Sequence, residues 1–167
     1  MQVLVMSDTH GDSQVIDKVR GFYPNAEAMI HCGDSELTFT HAALEGMQKV
    51  RGNCDIESAF PNEAVFDVGG VTFFVTHGHL FNVKSSLLSL SFRAKEVDAN
   101  IACFGHSHIL GAEMIDDILF INPGSLLKPR GRKEKSFAVV EILEDHFQVN
   151  FFTDDNESLS SHTFVRK

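Results

Sequence analysis

The chain has 167 residues, 43% of them hydrophobic and 22% charged, a balance that excludes disordered and fibrous classes and suits one globular domain over 1–167. A formal charge of −9 argues against a basic grip on extended nucleic acid, although metal ions can present positive charge to a phosphate locally. Cys32, Cys54 and Cys103 are odd in number and widely spaced. That pattern argues against a disulfide framework or a thiolate zinc site and fits a reducing compartment. The start, MQVLVMSDTH, has no basic leader, and no run approaches the roughly 18 apolar residues of a membrane helix. A cytoplasmic location with no membrane partner is therefore expected.

The run QVLVM is apolar and β-branched and predicts a buried strand ending at Ser7-Asp8. In DSQVIDKVRGFYP, Val15, Ile16 and Val19 fall at helical spacing, with Asp12 or Ser13 as cap and Gly21 and Pro24 as stops. AEAMIHCGD predicts a second strand closing on Gly-Asp. LTFTHAALEGM predicts a second amphipathic helix, and QKVRGNCD a short strand closing on Gly-Asn.

The second half is richer in hairpins. AVFDVGGVTFFVTHGH predicts two strands about a Gly69-Gly70 turn. A helix over Lys84 to Val97 and the strand NIACFGH follow. GAEMI and ILFINPGS pair across Asp116-Asp117, and SFAVVEIL and HFQVNFF across Glu144-Asp145. The polar tail from Asp154 suggests an edge strand or a frayed end. Alternation first and hairpins later predict an α/β fold of two packed mixed sheets flanked by helices.

Chemistry-bearing residues recur where these strands stop. Asp8 and His10 follow the first strand, Asp34 the second and Asn53 the third. His77 and His79 end a hairpin strand, and His106 and His108 end NIACFGH. In α/β sheets, sites form beyond the carboxyl ends of strands. Carboxylate, amide and imidazole donors without thiolate suit Mn²⁺, Fe²⁺ or Zn²⁺, and seven donors suit two ions rather than one. Any one of these short motifs alone is as readily a polar turn; their ordered recurrence at strand ends is what points to a metal site.

With Asp8-x-His10, Gly33-Asp34, Gly52-Asn53, His77-Gly78-His79 and Gly105-His106-Ser107-His108 in this order, the chain resembles the calcineurin-like metallophosphoesterase superfamily. Within it, the chain is similar to the small prokaryotic phosphodiesterases of the YfcE/YsnB type, from residue 3 to about residue 130. The resemblance implies a four-layer sandwich and two divalent ions, Mn²⁺ foremost, with Ni²⁺, Fe²⁺ and Zn²⁺ as alternatives. It implies one ion on Asp8, His10, Asp34 and His108, and another on Asp34, Asn53, His77 and His106, with Asp34 bridging. Hydrolysis of a phosphodiester by metal-activated hydroxide follows from the same likeness. His79 is not a ligand in that pattern and is left to support a ligand, to contact the substrate phosphate or to donate a proton. Cys54 stands where most of the superfamily has histidine, which weakens general-acid assistance, since a thiol is a poor donor beside imidazolium.

Other candidates are less constrained. Arg51, Asn122, Ser125 and Arg130 are expected phosphate contacts, with Lys128 and Arg132 nearby; an ordinary Pro-Gly turn and a solvated basic loop are the plain alternatives. His31 either orients Asp34 or simply ends its strand. His41, His146 and His162 are assigned nothing, and the phenylalanines are expected in the core. Loops 80–92 and 109–113 are expected to choose among small phosphodiester or nucleotide-like substrates. A non-catalytic scaffold of the same fold, as in a subunit of the retromer coat, is the competing function; against it, every ligand position is filled by a competent residue. An unpaired hairpin edge offers a route to homo-oligomers.

Overall fold

The computed structural model describes residues 1–167 as eleven strands and two α-helices. The first sheet contains β1 (Gln2–Met6), β2 (Ala28–His31), β3 (Gln48–Lys49), β9 (Ser136–Ile142), β10 (His146–Thr153) and β11 (Ser158–Val165). Its spatial order is β11-β10-β9-β1-β2-β3. The second sheet contains β4 (Glu63–Val68), β5 (Val71–Thr76), β6 (Ile101–Cys103), β7 (Gly111–Ile115) and β8 (Ile118–Asn122), in the order β4-β5-β6-β8-β7. β1, β2 and β3 run parallel, as do β5, β6 and β8, while the hairpin strands run antiparallel. Both sheets are thus mixed, and no helix is long and apolar enough to cross a membrane.

The layering follows from alternation along the central strands. Val3 and Val5 of β1 face the second sheet and pack with Phe73, Val75, Ile101, Leu119 and Ile121. Leu4 and Met6 face outward onto α1 (Ser13–Phe22), against Val15, Ile16 and Val19. On the outer face of the second sheet, Phe74, Ala102 and Phe120 pack on Leu90 and Ala94 of α2 (Leu88–Glu96). Two mixed sheets packed face to face, each with a helix over the outer face of its central strands, make the expected sandwich.

Two predicted helices come out shorter. Asp12 caps α1, its carboxylate accepting from the Val15 N–H at 3.1 Å. The segment 37–47, by contrast, forms only a single 3-10 turn, Ala42–Leu44. Thr38 and Thr40 disfavour helix, and His41 takes the Ala43 N–H onto its side chain. The helix foreseen from Lys84 starts at Leu88; residues before it lie in turns, with Asn82 left-handed at φ 52°. The polar tail is not frayed: β11 pairs along β10 as the outer edge.

Parallel strands align their carboxyl ends. β1 and β2 therefore deliver residues 7–10 and 32–36 to the same edge of the molecule at which β5, β6 and β8 deliver 77–79, 104–108 and 122–125.

Candidate metal centre

At that edge three imidazoles are fixed in the same way. His77 Nδ1–H donates to the Cys32 carbonyl at 2.8 Å, and His108 Nδ1–H donates to the Lys128 carbonyl at 2.7 Å. His10 Nδ1 lies 2.7 Å from Glu36 Oε1 and donates to it. Anchoring Nδ1 fixes the ring and leaves Nε2 facing inward, the arrangement by which proteins orient metal-binding histidines. The three Nε2 atoms converge on two aspartates. Asp8 Oδ1 is 3.1 Å from His108 Nε2 and 3.8 Å from both His10 Nε2 and His77 Nε2. Asp34 Oδ2 is 3.2 Å from His77 Nε2, and Asn53 Oδ1 is 3.1 Å from it. His10 and His108 bring their Nε2 atoms to 3.4 Å.

The donors fall into three overlapping groups: Asp8 with His10 and His108, Asp8 with Asp34 and His77, and His10 with Glu36 and Cys54. His106 belongs to none of them; its ring centre lies 5.1 Å from that of His77, and its backbone N–H donates to Asp8 Oδ2 at 3.2 Å. Asp8 is fully buried, yet its Oδ1 has no hydrogen-bond partner. A buried carboxylate oxygen facing three imidazole nitrogens without a hydrogen bond is a donor set whose chemistry fits a divalent metal.

Electrostatics agrees with the geometry. Burial opposes a charge on Asp8, but His108, His77 and the Ser7 hydroxyl outweigh it and hold the carboxyl below its ordinary value. Asp34 sits well below the carboxylate range, burial again opposing and His77 and the Cys54 N–H prevailing. The same aspartates overcome burial to raise His77. His106 is pushed down to about 4 by burial and by the neighbouring charges of His77 and Lys84. Both carboxylates are thus ionised at neutral pH.

Backbone strain concentrates here. Asp8, His10, Asp34, Glu36, His106 and His108 all have positive φ, between 43° and 71°. Each non-glycine residue in this region costs roughly 1 kcal/mol or more, and such residues gather where function requires the geometry. Close packing adds to the constraint: a Cβ at Gly105 would collide with Ser7 Oγ, and one at Gly52 with the Asp34 carboxylate.

Several supporting residues escaped the sequence reading. The Asp55 carboxylate accepts from the N–H groups of Asp34 (2.8 Å), Glu36 (2.8 Å) and Gly52 (2.7 Å), tying the loop after β2 to the loop after β3. Ser7 Oγ donates to Asp8 Oδ2 at 2.6 Å. Both sit one residue from a recognised motif residue, a signal available in the sequence. Glu36 has no such signal, since its role depends on the turn that brings it to His10. His31, left open as orienting or structural, accepts from the Gly33 N–H and donates Nε2–H to Thr9, bracing both aspartate loops; burial pushes it down to about 4.

The remaining candidates fall in different places. His79 lies beside His77 and His106, with Nδ1 buried and unpartnered. Cys54 is exposed; its N–H donates to Asp34 Oδ1 at 2.8 Å, and burial of the sulfur with Asp34 nearby pushes its thiol up to about 11. A protonated thiol is not a nucleophile at neutral pH. Asn122 and Ser125 are buried and spend their polar atoms on the backbone and on Ser107. Asn122 Nδ2 donates to the Gly105 carbonyl and Ser107 Oγ, while Ser125 Oγ donates to the Asp8 carbonyl and accepts from Leu127 and Lys128. They shape the ligand loops instead of presenting free donors. Arg51 caps the carbonyls of Asp55 and Ile56. Arg130 is exposed beside His108, whose carbonyl accepts its N–H at 3.0 Å.

Comparison with known proteins places this arrangement in a family. Residues 1–145 match the calcineurin-like phosphoesterase superfamily domain. The chain is 42% identical to the probable metallophosphoesterase YsnB of Bacillus subtilis, over 91% of this chain and 90% of that protein. Phosphodiesterase YfcE of Escherichia coli is 32% identical over 84% and 88%. The crystal structure of a predicted phosphoesterase from Streptococcus pneumoniae superposes with a TM-score of 0.95 at 39% identity, covering 99% of this chain and 97% of that one. The vacuolar protein sorting-associated protein 29 of Schizosaccharomyces pombe is 37% identical over 75% and 72%.

Proposed function

Since the chain belongs to the calcineurin-like phosphoesterase superfamily, we propose that it is a dinuclear-metal-dependent phosphodiesterase acting on small phosphodiesters. The observation that carries this reading is the buried, unpartnered Asp8 Oδ1 between inward-facing Nε2 atoms of His10, His77 and His108. Asp8, His10, Asp34 and His108 would hold one ion, and Asp34, Asn53, His77 and His106 the other, with Mn²⁺ the first choice and Ni²⁺, Fe²⁺ and Zn²⁺ alternatives. Such ions supply Lewis acidity to a phosphoryl oxygen and lower the pKa of water to about 7.

The chain's own residues do the rest. Asp8 and Asp34 stay ionised and balance the cationic charge. The Nδ1 anchors on Cys32, Lys128 and Glu36 hold the imidazoles in place so that little reorganisation accompanies reaction. Burial and His77 lower the pKa of His79, which makes its imidazole a weak proton donor at neutral pH. Cys54 keeps its proton and is assigned no nucleophilic step.

A diester is proposed over a monoester because the similar YfcE is named a phosphodiesterase, while the weak proton donation of Cys54 favours good leaving groups in either class. The scaffold alternative draws on the similarity to the yeast sorting protein. The test is hydrolysis of bis(p-nitrophenyl) phosphate and p-nitrophenyl phosphate by chelator-treated protein, with Mn²⁺, Ni²⁺, Fe²⁺ or Zn²⁺ restored. Metal-dependent cleavage with diester preferred is expected; no turnover with any ion by folded protein would transfer the assignment to the scaffold.

A further inference from the structure

A cavity of about 500 Å³ opens beside the cluster, at the turn that carries His106, Ser107 and His108. Its walls include Val83 and Leu87 from the segment before α2, Phe104 and Phe120 from the outer face of the second sheet, and Ile109 and Leu110. That volume lies within the roughly 300–1,000 Å³ of small-molecule sites, and the apolar walls suit a flat, weakly polar ring. Ile109 is 53% exposed at its rim, an apolar side chain left uncovered by the fold.

Charge narrows the occupant. Lys84 and Arg130 both line this cavity, and neither forms an ion pair within the protein, whereas Lys18, Arg93, Lys95 and Lys167 do. Lys84 lies close enough to His106 for its charge to bear on that imidazole, and Arg130 is bonded through its backbone to His108. Two cations without an ion pair in a chain of net charge −9 thus line the cavity beside the residues that carry His106 and His108. Glu113 also lines the cavity and offers an acceptor for a ring or amino N–H. The other cavity bordering the cluster, about 340 Å³, has the opposite character: Glu36 and Glu57 line it with Leu37, Cys54 and Ile56. An anionic arm is repelled there and attracted on the Lys84–Arg130 side.

We infer that the cavity over Phe104 and Phe120 receives the nucleoside-type arm of the substrate, its base against the apolar walls and its phosphate held by Lys84 and Arg130. Residues 83–87 and 109–113 then determine specificity, and the preferred substrates are nucleotide-containing diesters. This inference rests on the phosphodiesterase reading above and names the substrate class for it.

The test is equilibrium binding, so that its outcome is separate from hydrolysis. Chelator-treated protein is titrated calorimetrically with adenosine 5′-monophosphate and, in parallel, with ribose 5-phosphate. The nucleotide is expected to bind about tenfold more tightly than the sugar phosphate, and Ile109→Asp to erase that difference. Lys84→Ala and Arg130→Ala are expected to weaken both ligands by about tenfold. All three positions are exposed, so the variants should fold, and a variant that does not is replaced by the other two. Equal binding of the two ligands, or nucleotide affinity unchanged in all folded variants, overturns the inference. Cleavage of the compact methyl p-nitrophenyl phosphate by the metal-loaded wild type tests the phosphodiesterase reading alone.

Discussion

The turn between β7 and β8 and the loops after β1 and β2 place aspartates in the same backbone conformation. Asp116 and Asp117 have φ of 49° and 65°; Asp8 and Asp34 have 54° and 55°. In the hairpin the conformation matches the strand twist, both side chains are exposed, and Lys95 and Lys167 pair with them from the surface. At the other end of the sheets the aspartates are buried and face imidazoles, and His10, His106 and His108 share the strained conformation. Left-handed aspartate is cheap turn chemistry in one place and constraint in the other. What distinguishes them is whether the side chain is solvated or aimed at other ligands, a property of tertiary packing.

Substitutions at the two ends should therefore differ sharply. The largest effect is expected for Asp34→Asn, which removes the carboxylate charge proposed to bridge the two ions. Metal-dependent diester hydrolysis should fall by about 10³-fold or more, read as initial rates under saturating metal, with the fold intact by circular dichroism.

Asp55→Ala comes next. It deprives the Asp34, Glu36 and Gly52 N–H groups of their common acceptor, at a cost of about 2–4 kcal/mol in chemical denaturation, while Asp55→Asn recovers part of it. Activity should fall with it because the Asp34 loop loses its brace; a loss of rate without loss of stability contradicts this assignment.

A third effect is visible in pH. Burial sets His31 at about 4 in the fold, below its ordinary 6.5, so between these values the unfolded chain binds the proton and the folded one does not. The His31 contribution to stability is complete above about pH 6.5 and declines as pH falls toward 4, by about 3 kcal/mol at most. The lowered Asp8 and Asp34 act below this window and the raised His77 above it, but His106 and His79 share it. Urea unfolding of metal-free protein from pH 7.5 to 4.5 measures the slope, and His31→Gln should flatten it without abolishing it.

The smallest effect belongs to the hairpin. Asp117→Gly keeps the positive φ and loses only a surface pair with Lys167, so the unfolding midpoint and hydrolysis rate should stay as in the wild type. A large change there would erase the contrast between the two ends.

The same contrast explains what the sequence disclosed. Strands such as QVLVM and VTFFVT are legible because burial on both faces requires continuous apolar runs, and the ligand motifs because each follows such a run directly. The helix proposed over 37–47 failed because its apolar spacing competes with Thr38, Thr40 and the His41 cap, which only local geometry resolves. Asn122 and Ser125 resemble free donors in sequence, and their engagement with the backbone depends on Gly105, Ser107 and Asp8, distant along the chain. The Glu36–His10 contact is hidden for the same reason.

We propose that the strand-end cluster is a two-metal centre, and native mass spectrometry of chelator-treated protein titrated with Mn²⁺ counts its ions. Two ions per chain are predicted, falling to one or none in Asp34→Asn. A wild-type chain that takes up no ion, or only one at saturation, contradicts the account.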